Sequence, residues 1–235
     1  MVLLRQNRNG AYNLSQIYRG RLSGFEQLKV LWYCMRQEKE MCGRYYVDDD
    51  TAKEIEKMVR EVDGKLKKER RGDICSSQSA AVVTGKKSYL TAEEMIWGFP
   101  QYQKSGLLIN ARAETVLERK MFRESVLHRR CMIPARSFYE WDPDRNKVTF
   151  QSENQSILYM AGFYNQFRGE DRFIILTAEA NASVKPVHHR MPLLLDRKEV
   201  EDWIYDDTFL EFALHKNQPR LRRVQEYEQI SLFSI

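Results

Sequence analysis

The sequence predicts a single α+β domain with a mainly antiparallel, curved β-sheet and flanking helices. Three observations lead to this prediction. Short apolar runs with strand character outnumber amphipathic stretches, turn residues separate several of these runs, and no repeat or low-complexity linker interrupts the pattern. A length of 235 residues fits one large domain better than two small ones.

Residues 1–40 differ from the rest of the chain. Their periodicity is weak, apart from a helix-like stretch at 25–35. They hold seven Lys/Arg against three acids, a net charge of +4 within a total of +5, so bulk charge does not indicate that the main domain binds DNA. Translation could start at three methionines: Met1, Met35 and Met41. We interpret 1–40 as an N-terminal extension, upstream of the true start or removed, and 41–235 as the domain.

The first element predicted in the domain is a helix capped by Asp48 to Asp50. Apolar residues follow at the i, i+3, i+4, i+7 spacing of a core-facing stripe: Ile55, Met58, Val59 and Val62. A basic loop from Lys65 to Arg71 comes next.

Strands are predicted at six apolar runs further along the chain. They are Ala80–Val83, Leu107–Ile109, Cys131–Ile133, Ser137–Trp141, Ile157–Tyr164 and Phe173–Thr177. Asp142-Pro143-Asp144 and Arg168-Gly169-Glu170 are turn signals between them. Two later helices are predicted, at Arg197–Tyr205 and Asp207–Leu214.

Composition excludes several classes of protein. Hydrophobic residues make up 43% and charged residues 30% of the chain, and no run approaches the roughly 20 apolar residues of a membrane span. Residues 1–40 lack a secretory signal pattern, so we expect a cytoplasmic protein. The four cysteines form neither a CxxC pair nor a zinc pattern with the histidines: Cys34, Cys42, Cys75 and Cys131. We therefore expect no metal, no cofactor, and mostly buried thiols with one reactive exception.

Four short clusters in the domain carry residues suited to chemistry. They are Met41-Cys42-Gly43-Arg44-Tyr45, Asn110-Ala111-Arg112-Ala113-Glu114, Phe138-Tyr139-Glu140-Trp141 and His188-His189-Arg190-Met191-Pro192. In order and spacing they resemble the signature of the SRAP (SOS-response-associated peptidase) family of abasic-site processing proteins. Supporting similarity lies in Trp97-Gly98, Arg129–Ala135 and Thr177–Asn181. The resemblance runs from Met41 to about Ile204 and implies an SRAP-like domain.

Cys42 is the residue on which the implied chemistry depends. Removal of Met41 would leave a 1,2-aminothiol, whose amine has an ordinary pKa of about 7.7–8.0 and whose thiol has one of about 8.5. The amine can condense with the aldehyde of a ring-opened abasic deoxyribose to an imine, and the sulfur can then close a thiazolidine. Without the other clusters, a small buried thiol would be the better interpretation of Cys42.

Three further residues are implied to be catalytic. Glu140 lies between aromatic residues, which should raise its pKa, and by resemblance it is the acid/base for ring opening and imine formation. His188 occupies the family's proton-transfer position, and Asn110 suits orienting the Cys42 amine or a deoxyribose hydroxyl. The alternatives are a strand-face Glu140 paired to an arginine, and a two-histidine metal site with His189, which the opposite directions of adjacent strand residues disfavour.

The resemblance also implies contacts to DNA. Arg44, Arg112 and Arg190 suit phosphate clamps, although each could instead be a surface charge or a partner of Glu114. Trp97 could stack on a base or pack in the core, and the two roles weigh nearly equally. Thr177 is placed among the DNA contacts by the same resemblance.

The leading functional hypothesis is an enzyme that forms a covalent, lyase-like crosslink with abasic sites in single-stranded DNA during the DNA damage response. We expect a monomer, associated with the nucleoid when bound to DNA, and no membrane partner. Two alternatives stay open: a thiol peptidase or autopeptidase that uses Cys42, and a non-covalent reader of single-stranded DNA.

Three departures from the family pattern bear on these hypotheses. The extension would acylate the Cys42 amine unless it is absent or cut off. Ser76-Ser77-Gln78 stands where the family has a Pro-Thr type pair, which puts a DNA-backbone contact in doubt. Ser137 replaces a common glycine before the Phe138–Trp141 cluster.

Overall fold

The computed structural model describes residues 43–62, 71–101 and 106–225. The extension, its predicted helix, Cys42 and nearly all of the predicted basic loop lie outside these residues. Within the described part of the chain, no helix is both long and apolar enough to cross a membrane.

Strands dominate the described residues, and the helices are short. The strands are β1 (Arg44–Val47), β2 (Glu61–Val62), β3 (Gly72–Cys75), β4 (Ser79–Lys86), β5 (Tyr89–Trp97), β6 (Phe99–Pro100), β7 (Leu107–Leu108), β8 (Asn110–Arg112), β9 (Arg130–Ala135), β10 (Ser137–Trp141), β11 (Lys147–Ser152), β12 (Leu158–Phe167), β13 (Glu170–Glu179), β14 (Arg190–Pro192), β15 (Leu194–Leu195) and β16 (Leu221–Gln225). The helices are α1 (Asp49–Met58), α2 (Lys120–His128), α3 (Val200–Tyr205) and α4 (Phe209–His215), with 3-10 turns at Ala113–Thr115 and Arg197–Glu199.

These strands form two main sheets. The smaller has the order β16-β11-β10-β1-β3, and the pairings between its neighbours are antiparallel. The larger has the order β14-β13-β12-β9-β4-β5-β2. A short parallel pairing of β13 with β5, at Phe173 and Trp97, joins the two ends of the path β13-β12-β9-β4-β5. The larger sheet therefore closes on itself, which confirms the predicted α+β class with a mainly antiparallel, curved sheet.

Helix α1 begins where the sequence predicts. The Asp48 carboxylate accepts a hydrogen bond from the Thr51 amide at 2.9 Å, and the Thr51 hydroxyl accepts one from the Asp48 amide at 3.3 Å. This reciprocal cap satisfies two otherwise unpaired amides. The helix ends at Met58, because Val59 is already extended. Val62 lies in β2 with 54% of its surface exposed, so its predicted place in the helical stripe is wrong.

Alternating side chains of the larger sheet enter two separate cores. In β4, Val82 belongs to the cluster that joins the two sheets, whereas Val83 belongs to the cluster beneath the helices. Phe122 of α2 and Trp203 of α3 cover this second cluster. We call the cluster between the sheets the inter-sheet core. It positions the candidate site, because both sheets contribute side chains to it.

The predicted strands and late helices are confirmed, with shifts of a few residues at their ends. The turn between β12 and β13 has two residues, Arg168 and Gly169, with φ of 53° and 84°. Both angles lie in the left-handed region that a tight hairpin of this kind requires.

Candidate functional site

The candidate residues come from separate segments that share the inter-sheet core. Each segment contributes a neighbouring apolar side chain to that core: Tyr45 next to Arg44, Ile109 next to Asn110, Phe138 two residues before Glu140, Val187 next to His188, and Met191 next to Arg190. These neighbours belong to one packed cluster, so the four segments border the same core.

Glu140 faces the interior of the domain from β10. It is 5% exposed and alternates with Phe138, which is fully buried in the inter-sheet core. Tyr45 of β1 pairs with Phe138, so continuing the antiparallel register places Gly43 opposite Glu140. A buried carboxylate therefore lies beside the start of β1. Cys42, the residue that precedes Gly43 in the sequence, lies outside the described residues.

The other face of the smaller sheet carries aromatic and basic side chains. Arg44 is partly exposed, and its guanidinium carbon lies 5.6 Å from the centre of the Trp141 ring. The Lys147 ammonium lies 4.0 Å from the centre of the Tyr139 ring. Both distances suit cation–π attraction. This face gives Arg44 a defined position near the start of β1.

Tyr139 reaches across β1 on that face to Asp73 of β3. Its hydroxyl donates to the Asp73 carboxylate at 2.5 Å. Burial and this hydrogen bond raise the pKa of Tyr139 far above its usual range. Sequence reasoning missed this pair, because nothing in the local pattern around Asp73 indicates a partner 66 residues away.

Trp97 has no exposed surface, so the predicted stacking on a DNA base is wrong and the core-packing alternative is confirmed. Its ring centre lies 5.2 Å from that of Tyr45, and its indole N–H donates to the Ile109 carbonyl at 3.0 Å. Trp97 thereby connects β1 to the segment that leads into Asn110.

Asn110 and Arg112 lie on β8, which runs parallel to β13. Asn110 is partly buried, whereas Arg112 is exposed and available to a phosphate. Thr177, opposite Arg112, is 1% exposed, and its hydroxyl donates to the Ala111 carbonyl at 3.3 Å. Thr177 is therefore inaccessible in this arrangement, which corrects its predicted contact to DNA.

Arg190 is the partner of Glu114, one of the alternatives that the sequence left open. Its two terminal nitrogens donate to the two carboxylate oxygens of Glu114 at 2.7 and 2.8 Å, and one of them also donates to the Thr177 carbonyl at 2.6 Å. Partial burial acts to raise the pKa of Glu114, but the hydrogen bonds and charge of Arg190, together with backbone hydrogen bonds, lower it below its ordinary value. The predicted phosphate clamp at Arg190 is occupied by a carboxylate.

The backbone of Arg190 holds the His188 ring. His188 Nδ1 lies 3.1 Å from the Arg190 amide nitrogen and 3.3 Å from the Arg190 carbonyl oxygen, so it accepts from the amide in one tautomer and donates to the carbonyl in the other. Partial burial lowers the pKa of His188 below 6.5, and charge on His189 and Arg190 acts in the same direction. The rings of His188 and His189 lie 4.3 Å apart. Across the described ranges, no group of three or more His, Cys, Asp or Glu side chains is arranged to hold a metal ion.

Comparison with known proteins gives consistent matches. The family model described as SOS response associated peptidase (SRAP) matches residues 41–229. Abasic site processing protein YoaM of Bacillus subtilis is 28% identical over 181 residues, which cover 70% of this chain and 79% of YoaM. Abasic site processing protein YedK of Escherichia coli is 26% identical over 176 residues, with the same coverage of 70% and 79%.

Solved structures give a matching fold. A crystal structure of a Bordetella bronchiseptica protein superposes with a TM-score of 0.66 at 20% identity, covering 79% of this chain and 99% of that one. A Bacteroides thetaiotaomicron protein superposes with a TM-score of 0.65 at 19% identity, covering 78% and 91%. At these identities the likeness concerns the fold alone.

Proposed function

The chain belongs to the SOS response associated peptidase (SRAP) family, and from this premise we propose that it processes abasic sites in DNA by bonding to them covalently. Relatives named abasic site processing proteins support the substrate. The observation that carries the mechanism is a buried carboxylate, Glu140, beside the start of the strand that follows Cys42.

The reaction begins with the α-amine of Cys42. The amine adds to the aldehyde of the ring-opened abasic deoxyribose, and loss of one water gives an imine. The thiol then adds across the C=N bond, sulfur to carbon and its proton to nitrogen, which closes a thiazolidine. Water is the one leaving group. Because both nucleophiles must be on one residue, Cys42 has to be the first residue of the reactive chain.

Glu140 and His188 move the protons in this proposal. Glu140 exchanges protons during sugar-ring opening and during the departure of water, because its carboxylate is sheltered from solvent beside the start of β1. His188 is the second group. Its Nδ1 is engaged by the backbone of Arg190, so Nε2 is the atom that we propose exchanges protons with the substrate. Asn110 orients the amine or a deoxyribose hydroxyl through its amide.

Single-stranded DNA is the proposed substrate form, since it presents the deoxyribose without the cost of unstacking a duplex. Arg44 and Arg112 keep exposed surface and are the proposed phosphate contacts. Arg190 would contact a phosphate only by exchanging the Glu114 carboxylate for it. Trp97 and Thr177 have no place in this interface.

Intact mass spectrometry tests the proposal. A chain expressed from Met41 is incubated with a single-stranded oligonucleotide that carries one abasic site. We expect a species that begins at Cys42 and gains the mass of the oligonucleotide minus one water.

An oligonucleotide with a tetrahydrofuran site, which has no aldehyde, should give no adduct. Cys42→Ala should also give none, whereas Cys131→Ala, at a buried cysteine, should react like the unaltered chain. An adduct on the 1–235 chain with its extension intact, or on Cys42→Ala, would contradict the thiazolidine mechanism.

The family description favours a second candidate activity, thiol autoproteolysis. The Cys42 sulfur would attack the Met41 carbonyl, forming a thioester and freeing the Cys42 amine, and water would then release residues 1–41. In the absence of DNA, the 1–235 chain should be cleaved to a shorter chain whose first residue is Cys42. Cys42→Ser, which lacks the attacking sulfur, should not be cleaved. If Cys42→Ser retains the oligonucleotide as well as the unaltered chain does and neither chain forms an adduct, a non-covalent reader is the better description.

A further inference from the structure

We infer that Glu114 is a positioning residue for His188 and acts through Arg190. The inference rests on the proposed function, because it assigns Glu114 a part in the same reaction. Glu114 lies in the 3-10 turn Ala113–Thr115, directly after β8 and its candidate residues Asn110 and Arg112.

The first link is the pair between Glu114 and Arg190. Two parallel hydrogen bonds of 2.7 and 2.8 Å join the carboxylate to the guanidinium, and Arg190 is 9% exposed. Charge-assisted, bidentate bonds of this kind fix the plane of a guanidinium as well as its position. A third bond, to the Thr177 carbonyl at 2.6 Å, ties the same group to β13. The Arg190 side chain therefore has one arrangement.

The second link is the backbone of Arg190. Arg190 pairs with Glu179 at the end of β13, and its amide donates to His188 Nδ1. The backbone amide of His188 donates to the Val184 carbonyl at 3.0 Å, which fixes the main chain at His188. Because Nδ1 also lies 3.3 Å from the Arg190 carbonyl oxygen, the position of the Arg190 backbone sets the ring orientation and the balance between its tautomers. Loss of the Glu114 carboxylate would remove two of the bonds that hold the guanidinium and leave the one to the Thr177 carbonyl, so we expect the Arg190 side chain and its backbone to shift.

A competing account gives Glu114 the opposite effect. A carboxylate that binds a guanidinium through two oxygens resembles a phosphate, so Glu114 could hold Arg190 away from DNA. In that case its removal would strengthen DNA binding. Under the positioning role, its removal slows the reaction and leaves DNA affinity as it was.

Glu114→Gln tests this inference, since it removes the charge at almost constant volume. Glu118→Gln is the matched control, because Glu118 is exposed and lies four residues away. Three quantities are measured: the nitrogen chemical shifts of His188 by NMR in the free protein, the Kd for the tetrahydrofuran oligonucleotide, and the adduct-forming rate constant at saturating abasic oligonucleotide.

We expect Glu114→Gln to change the nitrogen chemical shifts of His188, which report its tautomers, and to lower the rate constant by roughly 10- to 100-fold, the effect of a misplaced catalytic group. The Kd should stay within about twofold of the starting value, since Glu114 touches no DNA in this proposal. Glu114→Asp keeps the charge on a shorter side chain and should give an intermediate result. It also serves as the test if Glu114→Gln fails to fold.

Unchanged nitrogen chemical shifts of His188 in Glu114→Gln would overturn the inference, as would an increase in DNA affinity. Failure of the proposed function is a separate result. If the unaltered chain forms no adduct, the crosslinking proposal fails, while the NMR measurement in the free protein still decides whether Glu114 positions His188.

Discussion

The indole N–H of Trp97 donates to the carbonyl oxygen of Ile109 at 3.0 Å, while the ring packs against Tyr45. One fully buried side chain thus connects β1, which begins two residues after Cys42, with the segment that leads into Asn110. The stability of the domain and the geometry of the candidate site depend on the same contact.

Trp97→Phe should lower the free energy of unfolding by about 2–4 kcal/mol, because it leaves a small cavity and a buried carbonyl without its donor. Urea denaturation followed by circular dichroism gives the value. Trp141→Phe is the matched control and should cost less than about 1 kcal/mol, since Trp141 is partly exposed. Equal losses in the two variants would contradict the role of the Trp97 contact.

Arg130 should contribute to stability through the ends of two helices. Its buried guanidinium donates to the Leu127 carbonyl at the end of α2, to the Trp203 carbonyl in α3, and to the Asp207 carboxylate. Arg130→Met should reduce the free energy of unfolding by about 2–4 kcal/mol, because buried carbonyls lose their donors. Urea denaturation measures this loss. Asp207 is mostly exposed, so Asp207→Asn should lower the free energy of unfolding by less than about 1 kcal/mol in the same experiment.

His188 should make stability depend on pH. Its pKa in the folded state lies below 6.5, so in the window between the two values the unfolded chain binds a proton that the native protein does not. Stability therefore falls as pH drops from 6.5 through the folded pKa. His188→Gln should flatten this decline in urea midpoints, whereas His128→Gln, at an exposed histidine, should keep it. An equal decline in His188→Gln and the unaltered protein would refute the assignment.

Arg112 should act on DNA affinity through its charge. Arg112→Ala should weaken binding to the tetrahydrofuran oligonucleotide about equally across sequences and reduce the slope of log affinity against log salt by about 1. Fluorescence anisotropy at several salt concentrations measures both effects. Arg123→Ala, which removes another exposed arginine from α2, is the control. If both variants change the slope equally, the effect is one of net charge and Arg112 has no specific phosphate contact.

Local signals explain which elements could be predicted. The Asp48 cap and the apolar runs of β10 and β13 need only neighbouring residues, so α1 and these strands follow from the sequence. Strand β5 was missed because Thr91 to Glu94 combine polar residues with a helix-forming alanine, and pairing with β4 decides its conformation. Helix α2 was missed because it lacks a side-chain cap and exposes Met121.

For the candidate site, the sequence predicts a set of residues but not their arrangement. Residue types and order make Glu140 and His188 candidates, whereas burial shows that Trp97 packs in the core. Sequence alone does not distinguish a core tryptophan from an exposed one, because both satisfy the same local pattern. Nor does it reveal which of several arginines Glu114 will bind, since that choice depends on contacts 76 residues apart.

Strand β16 completes the smaller sheet by pairing with β11, although 71 residues separate Gln151 from its neighbour Arg222. At a synthesis rate of about 5–20 residues per second, a ribosome needs roughly 4 to 14 s to extend the chain over that distance. During this interval the edge of β11 has no partner in the nascent chain, and unpaired strand edges invite association with other chains. The order of these two strands in the chain therefore leaves one sheet edge open to other chains during synthesis that is covered once β16 has paired.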